Sequence, residues 1–194
     1  MTESIWQPGT IPARAIRDGL DAPLPERRLL RAGPLSAVLE RGDLRHIKVG
    51  DETIVLRLYG AIRDRNWDTI EPIFTEFDAE ADGEAFSVRF TAECVSQDVD
   101  FVWTGKIDGT SAGVIVADFD GVARKPFRRN RIGWCVLHPM SVAGFPAWVE
   151  TPAGRVDGKF PELISPHQPF VDMQAIGYPT LSGGEVTIRF EGDL

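Results

Sequence analysis

Two imidazoles and a carboxylate stand in the last third of the chain: His138 in Leu137-His138-Pro139, Glu162 in Phe160-Pro161-Glu162, and His167 in Pro166-His167-Gln168. Such groups move protons, because an imidazole titrates near neutral pH and a carboxylate can supply or take up the proton it passes on. Brought together, Glu162, His138 and His167 would form an acid/base set. Taken singly, each has a plainer role. His138 follows Ile132, Trp134 and Val136 at alternate positions, so it points to their side at a strand end, where a hydrogen-bonded histidine is the commoner occupant. His167 sits on a loop locked by Pro166 and Pro169.

A second group could hold an anion. Arg124, Lys125, Arg128, Arg129 and Arg131 form the densest cationic run of an otherwise acidic chain, and guanidinium forks bind carboxylates and phosphates in a bidentate manner. A solvated loop, or ion pairs with the acidic surplus, is the weightier reading of most of them. Asn130, between two arginines, turns the backbone or binds something. In Asp64-Arg65-Asn66-Trp67-Asp68 a polar loop offers an indole, either as a plate for a sugar ring or as a cap on the core. Arg129, Asn130, Arg131 and Trp67 are therefore the substrate-binding candidates.

No metal-ligand spacing, glycine-rich phosphate loop or nucleophile elbow occurs, so neither a metal nor a cofactor is expected. Cys94 and Cys135 are the only cysteines and lie in apolar strand patterns, as two free thiols or one disulfide.

The elements that must position these groups are strands. In Phe86-Ser87-Val88-Arg89-Phe90-Thr91-Ala92-Glu93-Cys94 apolar and polar residues alternate, and the pattern returns at Val99, Phe101, Trp103 and at Val186, Ile188, Phe190. Turn residues separate them at Arg41-Gly42-Asp43, Asp82-Gly83, Asp108-Gly109 and Gly183-Gly184, which implies antiparallel hairpins. Ten to thirteen strands are expected, with Trp103, Trp134 and Trp148 in the core. Ala13 to Leu20 is the one helix candidate, confined by prolines at 8, 12, 23 and 25. The expected class is all-β, a large antiparallel β-sandwich over residues 30–194, preceded by an extended arm over residues 1–29.

The 194 residues carry 21 basic and 29 acidic side chains, a net charge of −8 that opposes binding to nucleic acid or anionic lipid. No apolar run approaches the length of a membrane helix, and the N-terminus lacks the layout of a secretory signal, so a cytoplasmic location is expected.

Several long segments carry a resemblance: LRAGPLSAVLERGDLRHIKVGDETIVLRLYGAIRDRNW, FRRNRIGWCVLHP, FPELISPHQPF and the terminal IRFEGDL. Together they resemble the N-terminal domain of the bacterial D-apionate lactonase family, over nearly all of the chain from Leu30. The resemblance implies a front β-sandwich, a supersandwich of the galactose-mutarotase kind, followed in family members by a TIM barrel and a small β domain. It also implies a part in hydrolysing D-apionolactone to D-apionate. The chain stops at Leu194, ahead of the barrel whose loops would hold the catalytic residues, so none is carried over. The expected partners are the barrel itself and a sugar acid or sugar lactone. Two other readings stay open: a free-standing epimerase, in which Glu162, His138 and His167 resemble the acid/base set of sugar mutarotases, and a non-catalytic carbohydrate-binding module.

Overall fold

The computed structural model describes residues 11–163 and 169–192. It opens with α1 (Ala13–Asp18), which Gly19 closes in a left-handed conformation at φ 75°. This helix has no buried residue. The N-terminal stretch thus carries one helical turn and a half, and the first strand starts at Arg28.

Thirteen strands follow: β1 (Arg28–Ala32), β2 (Leu35–Glu40), β3 (Asp43–Val49), β4 (Glu52–Asp64), β5 (Ile73–Ala81), β6 (Phe86–Val95), β7 (Asp100–Gly109), β8 (Ile115–Ala123), β9 (Arg129–Leu137), β10 (Pro146–Thr151), β11 (Gly154–Lys159), β12 (Ala175–Pro179) and β13 (Glu185–Arg189). They form a five-stranded sheet β1-β2-β3-β4-β9 and two four-stranded sheets, β5-β6-β7-β8 and β11-β10-β12-β13. All pairings among the described residues are antiparallel. The all-β sandwich holds. One turn differs from expectation: Asp108 and Gly109 still pair with β6, and the chain reverses at Thr110 to Gly113 instead.

Alternation decides which side of each strand is dry. In β6 Phe86, Val88, Phe90, Ala92 and Cys94 are buried, and in β7 Phe101, Trp103 and Ile107 join them. The same period puts Leu30, Leu39, Leu44, Leu58 and Ile62 on the inner face of the five-stranded sheet. One apolar cluster takes residues from all three sheets, with Val149, Ile176 and Tyr178 supplied by the C-terminal one. Tyr178 is fully buried and satisfied by donating to the Ile54 carbonyl at 2.7 Å, which ties the C-terminal sheet to β4.

The inner faces meet through aromatic rings laid over glycines. Gly105 pairs across the sheet with Phe90, Gly109 with Phe86 and Gly177 with Trp148, and the ring fills the space above the glycine, whereas above Gly121 stand the Phe101 ring and the Cβ of its pairing partner Trp103. Gly60 of β4 receives the Trp103 indole from the opposite sheet, and a Cβ there would stand inside that ring's contact distance. Such overpacking typically costs about 1–3 kcal/mol. Gly60→Ala should lower stability by roughly that amount, read as a fall in the urea midpoint at unchanged slope. An unaltered midpoint would mean that Trp103 is not held against β4.

Candidate functional site

β4 and β9 run side by side, and their two ends carry the two groups of chemical interest. The start of β9 pairs with the end of β4 through Asp64 and Arg129, whereas Leu137 pairs with Arg57 at the other end. His138 and Asn130 are eight residues apart along one strand line, about 26 Å at the usual strand rise. His138 and the anion-binding candidates at the start of β9 therefore occupy opposite ends of that strand line.

At the first end the Asp64–Asp68 loop is built by its own polar groups. Asp64 Oδ1 accepts from the backbone N–H of Asn66 at 2.8 Å and of Asp68 at 3.0 Å, and the Asn130 side-chain amide donates to the Asp64 carbonyl at 2.8 Å. Asn130 thus clamps the loop to β9. Trp67 takes a left-handed φ of 71° and is 54% exposed, so it does not cap the core. The Arg63 guanidinium stands 6.0 Å from the Trp67 ring and donates to the Tyr59 hydroxyl at 3.2 Å. Its buried Nε has no partner among the described residues.

The cationic run divides. Arg124 bonds Asp100 at 2.7 Å and Glu93 at 2.8 Å, and these carboxylates hold its guanidinium protonated above even the usual arginine range. Lys125 donates to the Gln97 carbonyl. Arg129 is exposed and reaches only the Asn130 carbonyl at 3.4 Å, Arg128 has no carboxylate partner among the described residues, and Arg131 is engaged. Arg128 lines a shallow open cleft of about 380 Å³ with Asp64, Arg65, Asp98, Pro126 and Phe127. Arg65 and Asp98 pair across it at 3.3 Å.

The outer face of the five-stranded sheet was not anticipated as a site. Leu29, Val38, Arg45, Arg57 and Leu137 lie in one cross-strand row. Beside it Glu40, only 8% exposed, lies between Arg27 at 2.5 Å and Arg45, and Asp43 accepts from Arg57. Burial alone would raise the Glu40 carboxyl, but the two guanidiniums outweigh it and hold the group below its ordinary value. For Asp43 burial prevails over Arg57, with Glu40 adding its like charge, and the carboxyl is raised. Arg57 also lies over the Tyr59 ring at 4.1 Å.

At the second end His138 packs against Phe160 at 4.8 Å and Tyr178 at 5.4 Å between ring centroids. Its Nδ1 is buried and without a partner among the described residues, and burial lowers its pKa. Glu162 is exposed and faces Lys159 at 3.9 Å. His167 lies outside the described residues. Cys94 and Cys135 are both free thiols. Cys94 is buried, which pushes its thiol up, whereas Cys135 is half-buried. Trp103 is core as expected, but Trp148 is only partly covered, lying over Gly177 with its indole N–H donated to Glu185.

Residues 15–194 match the sequence profile described as D-apionate lactonase, N-terminal domain. The chain belongs to that family. D-apionate lactonase of Brucella anthropi is 36% identical to it over 169 residues, which cover 84% of this chain and 27% of that protein. The chain thus spans about a quarter of the length of the relative it matches. No solved structure matches it. Within this lactonase N-terminal domain no group of three or more metal-binding side chains occurs among the described residues, and no helix there is long and apolar enough to cross a membrane.

A histidine whose folded pKa lies below its unfolded value resists protonation in the folded state. Its contribution to stability is complete above the unfolded value, near 6.5, and is lost as pH falls. Proton NMR of the ring should place His138 below 6.5, and His138→Gln should flatten part of the decline in melting temperature between about pH 7 and 5. Titration above 6.5 would reveal a carboxylate partner instead. At the other end, Asn130→Ala should cost about 1 kcal/mol and speed amide exchange at Asn66 and Asp68, because the loop loses its tie to β9.

Proposed function

We propose that this chain is the N-terminal β-sandwich of a D-apionate-lactonase-like sugar-lactone hydrolase, and that it supports a catalytic portion of a longer polypeptide. The observation that carries the reading is the match over residues 15–194 combined with a relative of which those residues represent only 27%. The geometry agrees with a supporting role. Glu162 is turned to Lys159 in solvent while His138 is packed among rings, so the two make no hydrogen bond to each other. The cleft beside Arg128 and the cleft beside Arg189 are both open, and neither surrounds a nucleophile and base shielded from water, as lactone opening would require.

In this reading the partner is the barrel that the family resemblance implies, the substrate is a sugar lactone, and the location is the cytoplasm. Residues 30–194 are the sandwich body and the preceding residues its arm. Trp67, Arg129, Asn130 and Arg131 are the residues the sandwich would offer to a sugar acid or sugar lactone. The 194-residue chain alone should open D-apionolactone no faster than buffer does, followed by acid release in a pH-stat. A rate above buffer that disappears in His138→Ala would place the chemistry in this domain and refute the reading.

A further inference from the structure

The outer faces of the two larger sheets differ in a way that distinguishes a solvated face from a covered one. On β5-β6-β7-β8 charges answer charges: Lys106 and Arg89 meet Asp108, Thr91 donates to Glu76, and Arg124 spans Glu93 and Asp100. Its exposed apolar members, Ile73, Val95, Val116 and Val122, stand among these polar groups, and exposed Phe77 stacks on the inner-facing Phe90. The five-stranded sheet instead sets Leu29, 65% exposed, and Leu137, 42% exposed, at the two ends of one row with Val38, Arg45 and Arg57 between them. Tyr59, gripped by Arg57 and Arg63, and the exposed Trp67 continue the same surface. Arginine, tyrosine and tryptophan beside leucine is the composition of a protein contact.

The charge says what kind of partner fits. Arg27, Arg31, Arg45, Arg57 and Arg63 belong to this side, while Glu40 and Asp43 answer three of them and Asp64 and Asp68 flank Trp67, so in a chain of net charge −8 guanidiniums outnumber these carboxylates here. We infer that the outer face of β1-β2-β3-β4-β9 is a docking surface for the catalytic portion of the same longer polypeptide, through an acidic patch with apolar anchors. The inference rests on the function proposed above and adds the place of contact. A second copy of the chain is a poor occupant, because a two-fold contact would set Arg45 and Arg57 against their own counterparts.

The test grafts the 194 residues in place of the matched segment of the Brucella anthropi lactonase. Hydroxyl-radical labelling of the graft is then compared with that of the isolated chain. Leu29, Tyr59, Trp67 and Leu137 should label about fivefold or more slowly in the graft, as expected for residues moved into the core of a contact. Val122, on the other sheet, should not change. Equal labelling of the four residues in both, or protection of Val122 as strong as theirs, would overturn the docking face whatever the activity. Lactone hydrolysis by the graft reads the functional proposal separately: an inactive graft that shows the protection keeps the face and removes the function, and an active graft without it does the reverse.

Discussion

The seat of Trp103 is the constraint on which the rest of this structure depends. The indole lies 3% exposed between two sheets, stacked on Phe119 at 4.5 Å and edge-on to Phe90 at 5.0 Å and Trp134 at 5.8 Å. It fits only because the backbone beneath it has no side chain at Gly60, and because Gly121 leaves room beside its own Cβ. Large rings supply most of the buried area that a two-layered β body can gather, and glycine opposite each ring lets the layers close without voids. The same device recurs at Phe86, Phe90 and Trp148. The spacing of the sheets, and hence what each outer face can present, is set there.

Because packing uses one side of strands such as β6 and β7, function must be sought on the other side and at the strand ends. Those places are not equivalent. The end bearing His138 is filled by rings, and its half-buried imidazole resists protonation because burial lowers its pKa. At the opposite end Asn130 and Asp64 hold a loop that displays Trp67 and leaves Arg129 in solvent. Between the ends the five-stranded sheet carries a carboxylate, Glu40, that is nearly buried on a face turned away from the core. Two arginines make that burial tolerable, since a lone carboxylate so placed would be protonated.

Much of this is legible in the sequence, and the parts that are not have physical reasons. The period of two in Phe86–Cys94 identifies β6, and Arg41-Gly42-Asp43 marks the hairpin between β2 and β3, because burial and left-handed turns constrain residue type directly. The start at Ala13 of a short helix bounded by proline and glycine is equally visible. The arginine face is not, because Arg45, Arg57 and Leu137 come from three strands and only the register places them in one row. Nor does composition show that Trp148 lies half-covered on Gly177, or that Glu162 points to Lys159 instead of His138. Spacing along a chain reports which side of a strand a residue takes. It does not report which strands are neighbours.

A single β body that coheres around Trp103 is the central claim, and its cooperativity is the most direct test. Unfolding of the 194-residue chain in urea can be followed at once by tryptophan fluorescence, which reports the ring cluster, and by far-ultraviolet circular dichroism, which reports the strands. The two curves should superimpose on a single transition. Separate transitions, with the fluorescence change preceding loss of the strands, would show that the sheets stand without the indole seat and would contradict the account.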